Sequence, residues 1–502
     1  MDAQALLQQF AGMQPGGAPA LGGSAGGSLE ALGDLKKALE ASSYQTDVAS
    51  LTGGGALGVQ SLDTAMKTTI QENQHFTLFN RLQSTNATNI VDEYSRQTNV
   101  GGFLGGSTNS QMGVVRSAQG EYSREVGMVK FLMTLRQVGY VLTVGKNIAE
   151  PVALEERNGA LQLLTDANYL LYHGNSDANP TQFDGIINQV EKEVLAGTIS
   201  GDNIVDLDGG RLDSVDPFSA INTAASRYGS WGRSTDVFMP NSIQTDLNKY
   251  LDPSFRWTNN GNNTPLIGGH VEGIRLTSGT LKTNMDTFIQ DEENPMVYPF
   301  EVFNSAIAVR NSAYKPVSAT VDAADSDAAS KFSASRAGNF YYAVAGIGAG
   351  GEGLTEVVKS SQTSIAAGKK AVVTIAASAS GSESGYAIYR SRQNGTNVTN
   401  DFRLVKIIKR TGSSTVFTDL NRDIPGTVTV PVLNLATGAD AIGWRQFQPM
   451  TKIPLPFGIG GIPQYSWFQM LFGYCRISKP KHHGFIKNIL PTSAKWRPFT
   501  AE

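Results

Sequence analysis

Two β-leaning runs on either side of a glycine-rich stretch constrain the fold of this chain most strongly. NIVDEYSRQTNV precedes GGFLGGSTNS, and GVVRSAQGEYSREVGMVKFLMTLRQVGYVLTV follows it. Both runs are rich in residues that favour strands, so residues 93–146 are predicted to form an extended hairpin. A two-stranded ribbon is at best marginally stable in water. We therefore expect the hairpin to lie on a neighbouring surface.

The longest predicted helix follows the hairpin, over residues 151–173. Pro151 suits the first turn of a helix, where its missing N–H costs nothing. Four leucines recur at helical spacing and predict one apolar face: Leu154, Leu161, Leu164 and Leu171.

A connector of turn-forming residues comes next, within YLLYHGNSDANPTQFDGI. We expect Gly174 to end the helix in the left-handed conformation. Asn175 to Pro180 are predicted to turn the chain, and Phe183 to hold the returning segment in a core. Nothing in the stretch can serve as a nucleophile or an obvious metal site. Its predicted role is therefore to fix the position of the helix that precedes it.

The remainder of the chain changes in composition and predicted secondary structure several times. Residues 11–28 form a Gly/Ala/Pro/Ser tract that cannot build a core, and two helical candidates follow it, SLEALGDLKKALEAS and SLDTAMKTTIQENQHFTLFNRL. FSAINTAASRYG predicts a short helix, and DVFMPNSIQTDLNKYL predicts a strand leading into a helix.

The second half of the chain begins with a small-residue linker, residues 315–335. The short alternating strands after it predict a β-sandwich: NFYYAVAGI, KKAVVTIAAS, SGYAIYRSR, FRLVKIIKR and STVFTDL. TVTVPVLNL leaves this sandwich. IPQYSWFQMLFGYCRISKPKHHGFIKNI contains an aromatic, helix-like run and then two strands that turn at Lys479-Pro480.

Composition favours an assembly. The chain has 502 residues, which suits about three domains, and only 17% are charged, below the roughly 25% of an average soluble chain. So little charge suits a surface that is buried against neighbours, although a neutral monomer with many loops fits as well. The net charge of −3 gives no global field for binding nucleic acid.

The only cysteine is Cys475, which suits a reducing compartment. No stretch reaches the ~18 apolar residues of a membrane span. The start, MDAQALLQQF, lacks the apolar core of a signal peptide, so we expect synthesis in a cytoplasm without processing at that end.

Two motifs have simple structural interpretations. GIGAGG, residues 346–351, fits the dinucleotide-binding pattern, but no helix is predicted after it to hold a pyrophosphate. A glycine-rich turn in the sandwich is the better interpretation. The glycosylation-type sequons at Asn394 and Asn397 are interpreted as hairpin-turn residues.

No credible catalytic group emerges from the remaining candidates. His482 and His483 would point to opposite faces of a strand, which is wrong for a shared metal. DEEN and DAADSD are interpreted as solvated loops, since a glycosidase needs two carboxylates on a rigid scaffold. We expect no catalysis, no cofactor and no metal, and an architectural role.

The order of these parts resembles the major capsid proteins of tailed bacteriophages with the Hong Kong 97 fold. LDTAMKTTIQENQHFTLFNRLQSTNATNIVDEYSRQT is similar to the sequence before their extended loop, and MLFGYCRISKPKHHGFIKNI to the strands that complete their peripheral domain. The connector is similar to the stretch after their spine helix at Tyr172, Gly174, Asn175, Asn179, Pro180, Phe183, Asp184 and Gly185.

The resemblance implies an α+β fold with an all-β sandwich inserted. The implied parts, in chain order, are an N-terminal arm (1–92), an extended hairpin loop (93–146), a peripheral domain with the spine helix 151–173 (147–214), an axial domain and linker (215–335), the insertion (336–430), and a return into the peripheral and axial domains (431–502). Residues 336–430 resemble an immunoglobulin or fibronectin type III-like domain at YYAVAGIGAGGEG, SGYAIYRSR and VFTDL, although the segment has no tryptophan.

The function that this resemblance implies needs no active site. Hexamers and pentamers would form an icosahedral shell around the phage double-stranded DNA, assembled in the bacterial host cytoplasm. The hairpin and the N-terminal arm would contact other subunits, and the insertion would project outward. The candidate assembly residues are Gly101, Gly102, Gly105, Gly106, Gly174, Asn175, Pro180, Phe183, Asp184 and Gly185.

The implied partners are other copies of the chain, a portal protein at one vertex, and packaged DNA through non-specific contact. A scaffold and decoration proteins are optional, and no membrane is involved. Some relatives crosslink a hairpin lysine to an asparagine, but residues 95–129 contain no lysine. The expected shell is therefore non-covalent. An encapsulin-type nanocompartment shell, a β-sandwich surface-binding protein and a hydrolase are the alternatives.

Overall fold

A computed structural model describes residues 77–145, 150–250, 272–289, 312–348 and 357–500. The chain divides into two compact units, Met1–Lys67 and Thr68–Glu502, and every described residue belongs to the second. The first predicted helix and most of the second lie outside the described residues. The described end of the second, Thr77–Arg81, is helical.

The described elements are helices and sheets of an α+β protein. The α-helices, in chain order, are α1 (Thr77–Arg81), α2 (Tyr140–Val144), α3 (Pro151–His173), α4 (Ile186–Leu195), α5 (Asp216–Ser226) and α6 (Asn241–Tyr250). The first strands are β1 (Gln83–Asn86), β2 (Val91–Asn99), β3 (Glu121–Met128), β4 (Lys130–Gly139), β5 (Ile204–Asp206), β6 (Asp236–Met239), β7 (Gly273–Leu276) and β8 (Gly279–Met285).

The later strands make up most of the second half of the described chain. They are β9 (Ser318–Asp322), β10 (Gly338–Phe340), β11 (Tyr342–Gly348), β12 (Val358–Lys359), β13 (Thr363–Ile365), β14 (Ala371–Ala376), β15 (Glu383–Ser391), β16 (Phe402–Lys409), β17 (Ser414–Asp419), β18 (Val428–Leu433), β19 (Ile442–Pro454), β20 (Gln464–Ile477) and β21 (Gly484–Ile489).

The long helix α3, which we call the spine helix, packs on a four-stranded sheet of order β1-β19-β20-β4. Its bounds agree with the prediction, but its buried stripe runs through Gly159, Leu163 and Ala167. Of the four predicted leucines, only Leu171 is buried. A side chain on Gly159 would overlap Gln469 of β20, so the sheet determines which helix face it accepts.

A six-stranded sheet of order β5-β21-β18-β6-β8-β7 lies beside this layer. The predicted helix α5, strand β6 and helix α6 all form where the sequence places them. Apolar side chains from this sheet, the spine helix and β20 belong to one buried cluster. We call the two sheets with α3 to α6 the wall.

Residues 318–419 contain a four-stranded sheet, β12-β11-β15-β16, a three-stranded sheet, β17-β14-β9, and the pair β10-β13. We call this part of the chain the insertion. One buried cluster takes side chains from both larger sheets, including Val344 and Val373. Within it, Arg390 is fully buried, forms an ion pair with Asp419 at 2.6 Å, and lies 5.3 Å from the ring of Phe340. A buried guanidinium of this kind needs such partners to offset its lost hydration.

All five strands predicted for the sandwich are present, and residues 428–433 leave it for the six-stranded sheet as predicted. The linker prediction for 315–335 is wrong in part, because β9 lies within it and pairs with β14. Gly346 and Gly348 of GIGAGG continue β11 instead of forming a turn, and residues 349–351 lie outside the described residues.

Two more predictions differ from the structure. The helix-like run near the end is strand β20, because its alternate side chains face the spine helix on one side and away from it on the other. The run after the hairpin tip is not one strand: β3 pairs with β2, β4 joins the four-stranded sheet, and residues 140–144 are helical.

Candidate functional site

The hairpin is an antiparallel ribbon of β2 and β3 whose pairing ends at Asn99 and Glu121. Residues 100–120 form its tip. Three of the predicted tip glycines, Gly101, Gly102 and Gly105, have positive φ, which costs glycine little. Gly106 does not have a positive φ; a side chain there would lie 2.7 Å from the Phe103 ring, which is itself exposed and can move away. These glycines shape the tip.

The tip exposes large apolar side chains. Met112 and Val114 are 98% and 92% exposed, and Val115, Leu104 and Phe103 are also mainly in solvent. An apolar group this exposed gains free energy only by contact with another molecule. The tip is therefore a candidate association surface.

The root of the hairpin is held by a cluster around Asp92, which is 8% exposed. Arg445 donates two hydrogen bonds to its carboxylate, at 2.8 and 2.9 Å, and the Tyr474 hydroxyl donates a third at 2.6 Å. Arg476 lies 3.5 Å away. Burial alone would raise the pKa of Asp92, but the hydrogen bonds and the two guanidinium charges outweigh it and leave the pKa below its usual 3.8.

A second group of charges holds the ribbon farther along. Arg96 forms ion pairs with Glu193 of α4 at 2.7 Å and with Glu125 of the opposite strand at 2.9 Å. Lys481 Nζ donates to the Thr98 carbonyl at 3.2 Å. The ribbon is thus attached to the wall as far as Thr98, and its tip lies beyond that point.

The connector after the spine helix is closed by a backbone contact. Gly174 is not left-handed, so that prediction is wrong: its φ is −57°. Glycine is needed because a Cβ would overlap the Phe183 carbonyl and lie 2.7 Å from Leu170 O. Gly185 donates its N–H to Gly174 O at 2.8 Å, and a Cβ on Gly185 would lie 2.6 Å from Tyr172 O.

The turn between these glycines forms as predicted. Asn175 Oδ1 accepts hydrogen bonds from the N–H groups of Asp177 and Ala178, at 3.0 and 3.1 Å. The Pro180 carbonyl accepts from Lys130 Nζ at 2.6 Å. Side-chain oxygens that satisfy nearby backbone N–H groups are the usual means of stabilising such turns.

The returning segment is held by one apolar and one charged residue. Phe183 is 2% exposed and packs edge to face with Trp444, 5.5 Å between ring centroids. Asp184 accepts hydrogen bonds from Ser176 N–H and Lys192 Nζ, both at 2.8 Å. The predicted core contact of Phe183 is confirmed. The assembly role of these residues stays a prediction.

The four-stranded sheet has an apolar face turned away from the spine helix. Phe131, Met133 and Leu135 of β4 alternate with helix-facing residues and are each about half exposed. Directly opposite them on β20 lie Phe472, Met470 and Phe468. This face, which we call the sheet face, is a second candidate association surface.

The chemical candidates do not converge on a site in the described residues. No group of three metal-ligating side chains was found there, and no described helix could cross a membrane. His482 ends a short 3₁₀-helix and the fully buried His483 follows it, so the prediction that both histidines lie in a strand is wrong. Burial also lowers the pKa of His483 to about 3 and raises that of Cys475 to about 12. Asn394 is a turn residue with φ 53°.

Sequence reasoning missed the hairpin root. Asp92, Arg445 and Tyr474 lie far apart in the sequence, and single charges in strands give no signal of partnership. The alternation of β20 was the one available signal, because it places Tyr474 and Arg476 on the same strand face.

Comparison with known proteins gives structural likeness only. No family model and no curated protein matches the chain. The capsid of a native GTA particle aligns over 88% of this chain and 99% of its own, with 9% identity and a TM-score of 0.45. A structure of Mycobacterium phage Adephagia aligns over 91% of this chain and 96% of its own, with 8% identity and a TM-score of 0.39.

An encapsulin complex from Synechococcus elongatus aligns as well, over 89% of this chain and 96% of its own, with 7% identity and a TM-score of 0.34. At such values none of the three assigns the chain to a family.

Gly174→Ala is expected to destabilise the wall, because its methyl group has no space between the backbone carbonyls that surround it. Overpacking of this kind costs on the order of 1–3 kcal/mol. Thermal unfolding of the full chain measures it. Gly201→Ala is the matched control, since a Cβ there meets nothing within 4 Å. Equal melting temperatures for the two variants would contradict the close-contact explanation.

Asp92→Asn is expected to lower the unfolding free energy by on the order of 2 kcal/mol at pH 7, through loss of charged hydrogen bonds. Because the folded-state pKa is lowered, this contribution is present above the unfolded value near 3.8 and lost as the pH falls through the folded value. Denaturant titrations at pH 7 and pH 3 should show the difference between the two chains shrinking.

Glu93→Gln is the control for this titration, because Glu93 and its partner Arg124 are both at least half exposed. An exposed pair contributes little. An undiminished effect of Asp92→Asn at pH 3 would show that the carboxylate charge is not what holds the root.

Proposed function

We propose that this chain is a major capsid protein of the Hong Kong 97 fold. It assembles as hexamers and pentamers into an icosahedral shell around double-stranded DNA and has no catalytic activity. The observation that carries the proposal is the combination of an exposed apolar hairpin tip on a fixed root with a separate exposed apolar sheet face. One chain thus has two surfaces that need partners.

Self-association satisfies both surfaces with a single kind of molecule. The tip of one copy covers apolar surface on the next, and each copy offers both halves of the contact. A contact between different surfaces on identical chains closes into a ring when the rotation between neighbours divides a full turn, as it does in a capsomer. Stable interfaces bury more than about 1,000 Å² in total, which a ribbon lying along a neighbour readily provides.

The finer features follow from the sequence resemblance. The resemblance assigns residues 1–92 to an N-terminal arm, but β1 belongs to the four-stranded sheet of its own copy and Leu78 lies in the buried cluster there. The part of the arm that we propose to reach across other subunits therefore precedes Thr77. The insertion is an immunoglobulin-like or fibronectin type III-like domain that projects outward. A portal protein occupies one vertex, scaffold and decoration proteins are optional, and packaged DNA contacts the shell without sequence specificity. The mature location is the virion capsid.

The connector takes a supporting role in this function. Gly174, Gly185 and Phe183 hold the spine helix in one position relative to the four-stranded sheet, so every copy presents its surfaces with the same geometry. Asn175, Pro180 and Asp184 keep the intervening turn in place.

Replacing Met112, Val114 and Val115 together by serine is expected to abolish particles without unfolding the chain. These side chains are more than 80% exposed, so they stabilise the monomer little. Their removal from an interface raises the concentration needed for assembly by roughly 100-fold. Negative-stain microscopy and analytical ultracentrifugation measure this, with thermal unfolding as the check on folding.

The matched control replaces two exposed valines of the insertion, Val398 and Val416, by serine. Particles should form normally from this variant. A parent chain that stays monomeric would overturn the capsid proposal and favour a surface-binding protein. Closed shells that capture a peptide-tagged cargo protein and no DNA would favour a nanocompartment.

Particles boiled in denaturant are expected to give a single band at 53.6 kDa on a gel. The reason is that residues 95–129 hold no lysine for a covalent bond between subunits. Ladders at multiples of this mass would show that the shell is crosslinked. Treatment of the same particles with an amine-reactive crosslinker is the positive control for such ladders.

A further inference from the structure

The C-terminal segment 490–500 crosses from the wall to the insertion. At its start, Leu490 N–H donates to Gly210 O at 3.0 Å and Thr492 N–H donates to Asp246 Oδ2 at 2.7 Å. Both acceptors belong to the wall side of the structure. The residues from Trp496 onward contact the insertion.

Trp496 is the first contact on the insertion. It is 3% exposed, its Nε1–H donates to Asp401 O at 3.2 Å, and the Arg403 guanidinium lies 5.1 Å from its ring. A side chain on Gly426 would lie 2.5 Å from the indole, so the loop before β18 leaves space for it. The indole therefore fills a fitted site at the border of β16.

Phe499 is the second contact and completes the core of the insertion. It is 2% exposed and belongs to the same buried cluster as Phe332, Phe340 and Tyr342. The Arg336 guanidinium lies 5.0 Å from its ring and also forms an ion pair with Asp208 of the wall, at 2.8 Å.

Gln393 ties the backbone of the segment to the insertion between these rings. Its N–H donates to Pro498 O at 2.8 Å, and its Oε1 accepts from Thr500 N–H at 3.0 Å. Its Nε2 donates to the carbonyls of Ser335 and Ala337, at 2.8 and 2.6 Å. One side chain thus joins the C-terminal segment to the chain entering the insertion.

The connector meets the insertion from another direction. Ala178 is 1% exposed and lies in a buried cluster with Ala343, Ala387 and Tyr389. A side chain on Gly385 would lie 2.8 Å from the Ala178 methyl group. Lys406 adds ion pairs to Glu191 of α4 at 3.5 Å and to Asp423 at 3.4 Å.

We propose that segment 490–500 is a latch that fixes the insertion rigidly on the wall. The insertion is therefore more than a domain on a flexible linker. Its core is complete only when Phe499 is in place. Ala178 of the connector packs against the four-stranded sheet, at β11 and β15. In a shell, which rests on the proposed function, the copies of the insertion then have one orientation. The latch itself does not depend on the proposed function.

Hydrogen exchange on the full chain tests the latch, with Trp496→Ala/Phe499→Ala as the main variant. Exchange in β10, β13 and β16 should accelerate on the order of 100-fold, while the spine helix and β18 keep their protection. Lys495→Ala, an exposed neighbour, should change nothing. Unchanged exchange in the double variant would overturn the proposal.

Gln393→Ala covers the case in which the double variant does not fold. It removes polar ties and leaves the aromatic core intact, so a smaller acceleration confined to the insertion is expected; no acceleration contradicts the latch. Microscopy of the same samples separates the two proposals. If the double variant forms particles in which the insertion is mobile, both the capsid proposal and the latch proposal are supported. If the parent chain forms no particles, the capsid proposal is wrong, and the hydrogen-exchange result alone decides the latch proposal.

Discussion

At the end of the spine helix, two stretches of backbone meet without a side chain between them. The Gly185 N–H donates to the Gly174 carbonyl, and the Phe183 carbonyl occupies the space that a Cβ on Gly174 would need. The connector can therefore fold back flat on the helix end. That return places Phe183 against Trp444 in the wall and leaves Ala178 on the crest of the turn, in contact with the insertion. This contact therefore contributes to the position of both the wall and the insertion.

The hairpin combines a fixed root with an uncovered tip. Its root is tied to β19 and β20 through Asp92 and to α4 through Arg96, whereas Met112 and Val114 at the tip are almost fully in solvent. A ribbon whose direction is already fixed loses less conformational entropy when its tip docks than a free loop would. The charges at the root thus fix the direction in which the apolar tip is presented to solvent.

Local pattern predicted much of the fold. The spine helix, the two hairpin strands, the helices at 216–226 and 241–250 and the sandwich strands follow from periodicity and turn residues, which act over a few positions. Three of the errors have a non-local cause. Gly174 is required by a chain segment nine residues on, Gly159 by Gln469, and the strand nature of 464–477 by its pairing with β4. Pattern alone cannot reveal which distant surface an element will meet.

The border of the insertion has the same non-local origin. Composition places it at residues 336–430, a segment without tryptophan, but β9 and Phe332 come from before it and Phe499 from after it. The sequence pattern does not assign any of these residues to the sandwich, because a single strand or a single aromatic ring gives no periodic signal. The third of these stretches, residues 490–500, reaches the core from the wall. The insertion therefore depends on the wall for its own completeness, and its stability is a property of the whole chain.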